Sequence, residues 1–341
     1  MSRNLFLELA ASGHRAPIGA HLVLHGRPDA EEILLDGARL GGVAAEAAER
    51  FRTPLAIPLM DLTLEKAALL GGLGIPAAEV DSFHFELAPD PSTFQITPRM
   101  RATCEAIAHV ASKTSLLPIG MGIGPFSLMT KLVKDPITPV FLAGSGMTGE
   151  DEPEVGVIEK CLEAGTELIL SYLAAQADAG AKAIIVCEPA ANLVYFSPNQ
   201  LAESFEIFDR YVMSPMRRIK RLLDGRGVDL IFHDCGELTN EMVSRFSTLD
   251  PAMMSLGCSR RLWEDAALVP KTTVLYGNLP TKKFYSPQLT VSDVESLSVE
   301  LLEKMRAAGH PFILGSECDV LSVPGSEAEI LAKVDAFMSA A

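Results

Sequence analysis

The residues best suited to chemistry are His233 and Cys235, in the run Val228-Asp229-Leu230-Ile231-Phe232-His233-Asp234-Cys235-Gly236. An apolar, β-branched run stopped by glycine reads as a buried strand, and period-2 alternation places His233 and Cys235 on one face at its C-terminal end. A second apolar run, Pro311-Phe312-Ile313-Leu314-Gly315-Ser316-Glu317-Cys318, also ends in a cysteine. One imidazole and two thiolates delivered from strand ends match a catalytic zinc site with three protein ligands and an open fourth position. The competing reading is a hydrogen-bonded core histidine beside cysteines that pack as small hydrophobes.

The elements that must position these groups are eight apolar strands, most of them followed by a helical pattern. The strands are expected at 17–24, 54–60, 117–124, 181–188, 228–236, 252–258, 272–279 and 311–318. Helices are expected at 1–12, 29–51, 62–70, 98–112, 125–133, 154–179, 197–223, 241–246, 260–267, 291–308 and 326–340, with loop at 135–150. This order implies an α/β chain folded as a single (β/α)8 TIM barrel over residues 1–341 with insertions, a polar lid or insertion loop standing around 80–98. A doubly wound open sheet is the second choice. The barrel is favoured because Asp61, Glu188, His233, Cys235, Cys258, Asn278, Glu317 and Cys318 all fall at or just past C-terminal strand ends, where a barrel keeps its active site.

Composition narrows the function. With 341 residues, 48% of them hydrophobic, the chain has ample material for a large core. A formal net charge of −15 argues against a nucleic-acid partner. The sequence shows no leader pattern and no apolar run of membrane-spanning length, which points to the cytoplasm and away from a membrane. Six cysteines in so long a chain suit free thiols better than a disulfide framework. Cys104 and Cys161 lie in helical patterns and read as packing.

The motifs His233-Asp234-Cys235-Gly236, Gly277-Asn278 and Gly315-Ser316-Glu317-Cys318, with Pro324 and a final helix, resemble the uroporphyrinogen decarboxylase superfamily, in particular its zinc-dependent methylcobamide:thiol methyltransferases of coenzyme M type. So do Met60-Asp61-Leu62-Thr63-Leu64-Glu65, Gly124-Pro125-Phe126-Ser127-Leu128 and Glu188-Pro189-Ala190, so that the likeness runs along almost the whole chain. It implies Zn²⁺ on His233, Cys235 and Cys318, a thiol activated at the open position, and a methyl group moved between a corrinoid and that thiol. A corrinoid carrier protein would dock at the barrel mouth. The reverse use of the same metal is the alternative: a methylated oxygen, nitrogen or sulfur substrate gives its methyl to the corrinoid. A non-catalytic corrinoid-binding protein with a closed metal site is the third reading.

The porphyrinogen-decarboxylating branch is disfavoured, because its arginine-rich N-terminal loop is replaced here by Arg15-Ala16-Pro17-Ile18-Gly19-Ala20-His21. Two further departures concern the thiol: Asp319 follows Cys318 where glycine is usual, and the sixth strand ends in Gly257-Cys258 rather than a carboxylate. Cys258 is open to three roles: fourth ligand, substrate contact or packing. Asp61 and Glu188 are the expected catalytic or His-orienting carboxylates, with a helix cap as the alternative for Asp61. Gly122, Gly124 and Asn278 are the expected cofactor contacts, the glycines because they let a ligand approach the backbone. Their spacing does not fit a dinucleotide fingerprint. His21, His25, His84, His109 and His310 have no partner in sequence and are expected on the surface or satisfied in the core.

Overall fold

A computed structural model describes residues 2–87 and 94–340. Eight parallel strands curl into one sheet: β1 (Arg15–Ile18), β2 (Leu55–Ala56), β3 (Leu117–Ile123), β4 (Ala183–Cys187), β5 (Asp229–Asp234), β6 (Met253–Leu256), β7 (Val274–Leu279) and β8 (Phe312–Asp319). Their order, β1-β8-β7-β6-β5-β4-β3-β2, is that of a (β/α)8 barrel. Among the described residues no ladder joins β1 to β2, so the wall is open on that side.

Alternation along the strands divides the core in two. Leu230 and Phe232 point outward into the layer shared with the helices, whereas Ile231 faces inward. The inner cluster draws on every strand or its edge, including Ile18, Leu55, Ile119, Ile185, Met253, Tyr276 and Ile313. A floor closes the N-terminal end. The helix Ser2–Ala11 sends Phe6 into the inner cluster, the Ser2 hydroxyl donates to the Lys182 carbonyl at 2.7 Å, and the Arg3 amide donates to Asp229 Oδ2 at 2.8 Å. This plugs the N-terminal end of the barrel.

Five local expectations need correction. The helix expected at 29–51 is split into Ala30–Ile33 and Gly37–Arg50, the second capped by Asp36, whose side chain accepts the Arg39 amide. Only Arg15–Ile18 is strand in the first apolar run, and Ala20–Leu24 is a short helix. So short an apolar run does not distinguish a strand from a buried helical turn by periodicity. The expected loop at 135–150 contains the helix Ile137–Gly144, started by Asp135, whose Oδ1 accepts the Ile137 and Thr138 amides around Pro136. The single helix expected from Ser197 to Leu223 is broken into Pro198–Glu203, Glu206–Phe208, a π-turn Asp209–Met213 and Ser214–Gly225. Pro215 has no amide for the preceding turn, and the wider π-turn ends just before it. Strand β2 is only two residues long. Of the lid or insertion expected at 80–98, residues 88–93 lie outside the described residues.

The longest helix is Pro153–Asp178, 26 residues, as the pattern from Glu154 to Ala179 leads one to expect. Among the described residues no helix is long and apolar enough to cross a membrane.

Candidate metal centre

Parallel register builds the centre. His233 of β5 stands opposite Ser255 of β6, and its Nδ1 lies 2.9 Å from the Ser255 hydroxyl oxygen. The ring is 1% exposed, and Nε2 is buried without a partner among the described residues. A tautomer that donates Nδ1–H to Ser255 leaves the Nε2 lone pair free, as in a histidine oriented for metal binding. Cys235, just past β5, and Cys318, in β8, stand on strands separated by β6 and β7 and come to the same point. The ligand atoms of His233, Cys235 and Cys318 all lie within 4.8 Å of one another. An orphaned buried imidazole nitrogen facing two sulfurs is a donor set that zinc fits.

The two thiols share their protons unequally. A hydrogen bond from Cys318, then His233 and Lys282, hold Cys235 below the ordinary thiol range against the effect of burial. Hydrogen bonding to Cys235, together with burial, pushes Cys318 up. The Cys318 sulfur also lies 3.5 Å from Met60 Sδ. Lys282, at the turn after β7, places Nζ 3.2 Å from Cys235 Sγ. Burial opposes its ammonium form, yet Cys235 and Cys318 hold its pKa above the usual lysine value.

The other expected site residues are placed as follows. Asp61 lies in the loop after β2; its Oδ1 accepts the Thr63 amide at 3.2 Å and hydroxyl at 2.6 Å, and its Oδ2 is 3.5 Å from Arg99 Nη2. It thus braces the turn into the helix Leu64–Gly72. Glu188 is fully buried, and its two oxygens accept the Phe126 amide at 3.1 Å and the Ser127 amide at 2.8 Å at the start of the helix Pro125–Leu132. A carboxylate there complements the exposed amides and the helix dipole, although burial pushes Glu188 up to about 7.

Gly124 makes room for that side chain, since a Cβ there would lie 2.1 Å from Glu188 Cδ; at Gly122 it would lie 3.0 Å from Glu65 Oε1. Asn278 donates through Nδ2 to the carbonyls of Gly257 at 2.8 Å and Arg260 at 2.9 Å, fastening the loop after β6. Cys258 is exposed and outside the three-donor group. Its amide donates to Glu317 Oε2 at 3.1 Å, and burial of the sulfur, with Glu317 beside it, pushes the thiol up to about 12.

The model of the uroporphyrinogen decarboxylase family (URO-D) matches residues 39–340. The chain belongs to this family. Among solved structures a methyltransferase from Methanosarcina mazei is similar, with a TM-score of 0.64 and 16% identity, over 95% of this chain and 93% of that one. At that identity the likeness is one of fold. No curated protein matches the chain by sequence.

In this uroporphyrinogen decarboxylase family member, four side chains around the centre had no role assigned from sequence. Ser255 is the lone polar residue in Met253-Met254-Ser255-Leu256, a signal that a strand-register argument could use. Lys282 belongs to a Lys-Lys pair directly after a strand in an acidic chain. Glu65, 1% exposed, accepts the Ile123 amide at 3.1 Å through Oε1 while Oε2 has no partner among the described residues, and burial pushes it up to about 8. His21 approaches Asp319 with Nε2 3.3 Å from Oδ2, and burial, then His25, lower it to about 4. The residue that follows Cys318 therefore lies against a histidine of the short helix after β1.

Proposed function

We propose that the protein is a zinc-dependent methyltransferase that moves a methyl group between a corrinoid and a small thiol. The observation that carries this reading is the convergence of His233, Cys235 and Cys318 at the C-terminal barrel mouth with His233 Nε2 unpartnered. The similar Methanosarcina mazei structure is named a methyltransferase, which supports the methyl-transfer part of the reading.

His233, Cys235 and Cys318 would hold the metal. Bound zinc supplies a Lewis acid that makes a thiol nucleophilic at neutral pH. The protein's own groups prepare that position. Ser255 holds the imidazole plane and tautomer, Lys282 favours the Cys235 thiolate, and Met60 packs against Cys318. The inner apolar cluster seals the centre from below, so the incoming group and the corrinoid, on a carrier protein, would share the open C-terminal side. Since Cys258 pairs with Glu317 rather than joining the three donors, a fourth position is left for substrate. That disfavours a closed, purely structural site.

The test is methyl transfer from methylcobalamin to a small thiol by purified protein, with Cys235→Ala as control. Thiol methylation lost in the variant supports the reading. Zinc-loaded protein that methylates no thiol but transfers methyl from a methylated substrate to cob(I)alamin would replace it by the reverse reaction.

A further inference from the structure

Lys282 is the cation in contact with the donor set. Its Nζ lies 3.2 Å from Cys235 Sγ, and that sulfur is its hydrogen-bond partner among the described residues. Of the acidic groups near it, Glu317 Oε2 accepts the Cys258 amide and Asp234 Oδ1 accepts the Gly236 amide at 2.7 Å, while Asp234 Oδ2 is buried without a partner among the described residues; the sulfur is the atom that the ammonium touches. The side chain is half-buried at the turn Thr281–Lys283, which Thr281 ties to the Cys318 carbonyl at 3.3 Å. The ammonium is therefore fixed against the centre by the β7 and β8 backbone.

Charge counting gives this contact a consequence. A dication with two thiolates and a neutral imidazole is neutral overall, and a neutral fourth donor keeps it so. A thiolate in the fourth position makes the set mononegative, in a partly buried place where net charge is costly. A lysine ammonium against one sulfur offsets the added negative charge of the thiolate case, and a neutral donor gains nothing comparable from it.

We propose that Lys282 is a positioning residue that offsets the charge of the sulfur-rich centre through Cys235, so that the open position takes an anionic thiolate in preference to a neutral oxygen or nitrogen donor. This rests on the metal reading above and deepens it by naming the residue that would favour the thiolate over a neutral donor. On binding, the thiol S–H proton passes to solvent and its sulfur becomes the fourth donor; Lys282 keeps its own protons and undergoes no covalent change.

The experiment loads wild type, Lys282→Met, Lys282→Gln and Lys282→Arg with Co²⁺ and follows the sulfur-to-cobalt charge-transfer absorption. Each is titrated with 2-mercaptoethanol and, separately, with imidazole as neutral donor. 2-Mercaptoethanol has no charged tail, so any effect cannot come from Lys282 gripping the far end of the substrate. Loss of a group that orients or tunes a metal ligand typically costs about 10–100-fold. We expect Lys282→Met and Lys282→Gln to bind the thiol about tenfold or more weakly with imidazole affinity unchanged, and Lys282→Arg to recover most of the loss. Equal thiol-to-imidazole selectivity in wild type and both neutral variants, all of them metal-loaded, overturns this inference alone. Wild-type protein that takes up no Co²⁺, or Cys235→Ala that holds it as well as wild type, overturns the metal reading as well.

Discussion

His233 Nδ1 lies 2.9 Å from the Ser255 hydroxyl oxygen because the two residues are register partners on adjacent parallel strands. The same contact leaves Nε2 free near the two cysteines, so the register of β5 on β6 sets the orientation of the imidazole proposed as a metal ligand.

Ser255→Ala is expected to weaken zinc binding by about 10–100-fold while the circular dichroism spectrum stays that of wild type. Competition with a chromophoric chelator measures it. Unchanged affinity would mean that the imidazole is held by packing alone.

Cys258 and Cys318 should behave oppositely. Since Cys258 pairs with Glu317 outside the donor group, Cys258→Ser is expected to keep its zinc and Cys318→Ser to lose it. Metal analysis after gel filtration decides, and the reverse result would make Cys258 the ligand.

Glu65 makes stability depend on pH. Burial raises its folded pKa from 4.5 to about 8, so the folded protein keeps a proton that the unfolded chain gives up above about 4.5. Its contribution is fully present below that pH and is lost as the pH rises through about 8, at up to about 1.4 kcal/mol per pH unit. Glu65→Gln retains an acceptor for the Ile123 amide and cannot ionise. Urea midpoints from pH 5 to 8 should therefore fall more steeply in wild type than in the variant; parallel slopes would contradict the buried protonated carboxyl.

Gly124→Ala should destabilise the fold by about 1–3 kcal/mol, because the new methyl meets a Glu188 side chain already pinned by two amides. Gly71→Ala, where a Cβ meets nothing within 4 Å on a helix, should be neutral or stabilising by up to about 1 kcal/mol. Chemical denaturation of the pair checks this, and equal effects would refute the packing account of Gly124.

Much of the barrel is written in strand alternation. Ile231 faces inward while Leu230 and Phe232 face out, and the same period-2 pattern puts His233 on the inner face. Long, strongly patterned helices such as Pro153–Asp178 are equally legible. What local pattern does not carry is convergence. That Cys318 meets Cys235 follows from the curl that brings β8 round toward β5, and the roles of Ser255 and Lys282 follow from strand register and from a turn's reach. Glu188 illustrates a related point: its strand-end position is legible, but its contacts with the free amides of the helix Pro125–Leu132 are set by tertiary packing. The short apolar run at Ala20–Leu24 and the break before Pro215 escaped because tertiary packing, rather than propensity, decides them.

The central claim is most directly tested by the zinc content of wild type, His233→Ala, Cys235→Ala and Cys318→Ala, purified alike from zinc-supplemented medium. The account predicts about one zinc per wild-type chain and its loss from each folded variant. Wild type without zinc, or variants that each retain it, would contradict the three-residue metal centre.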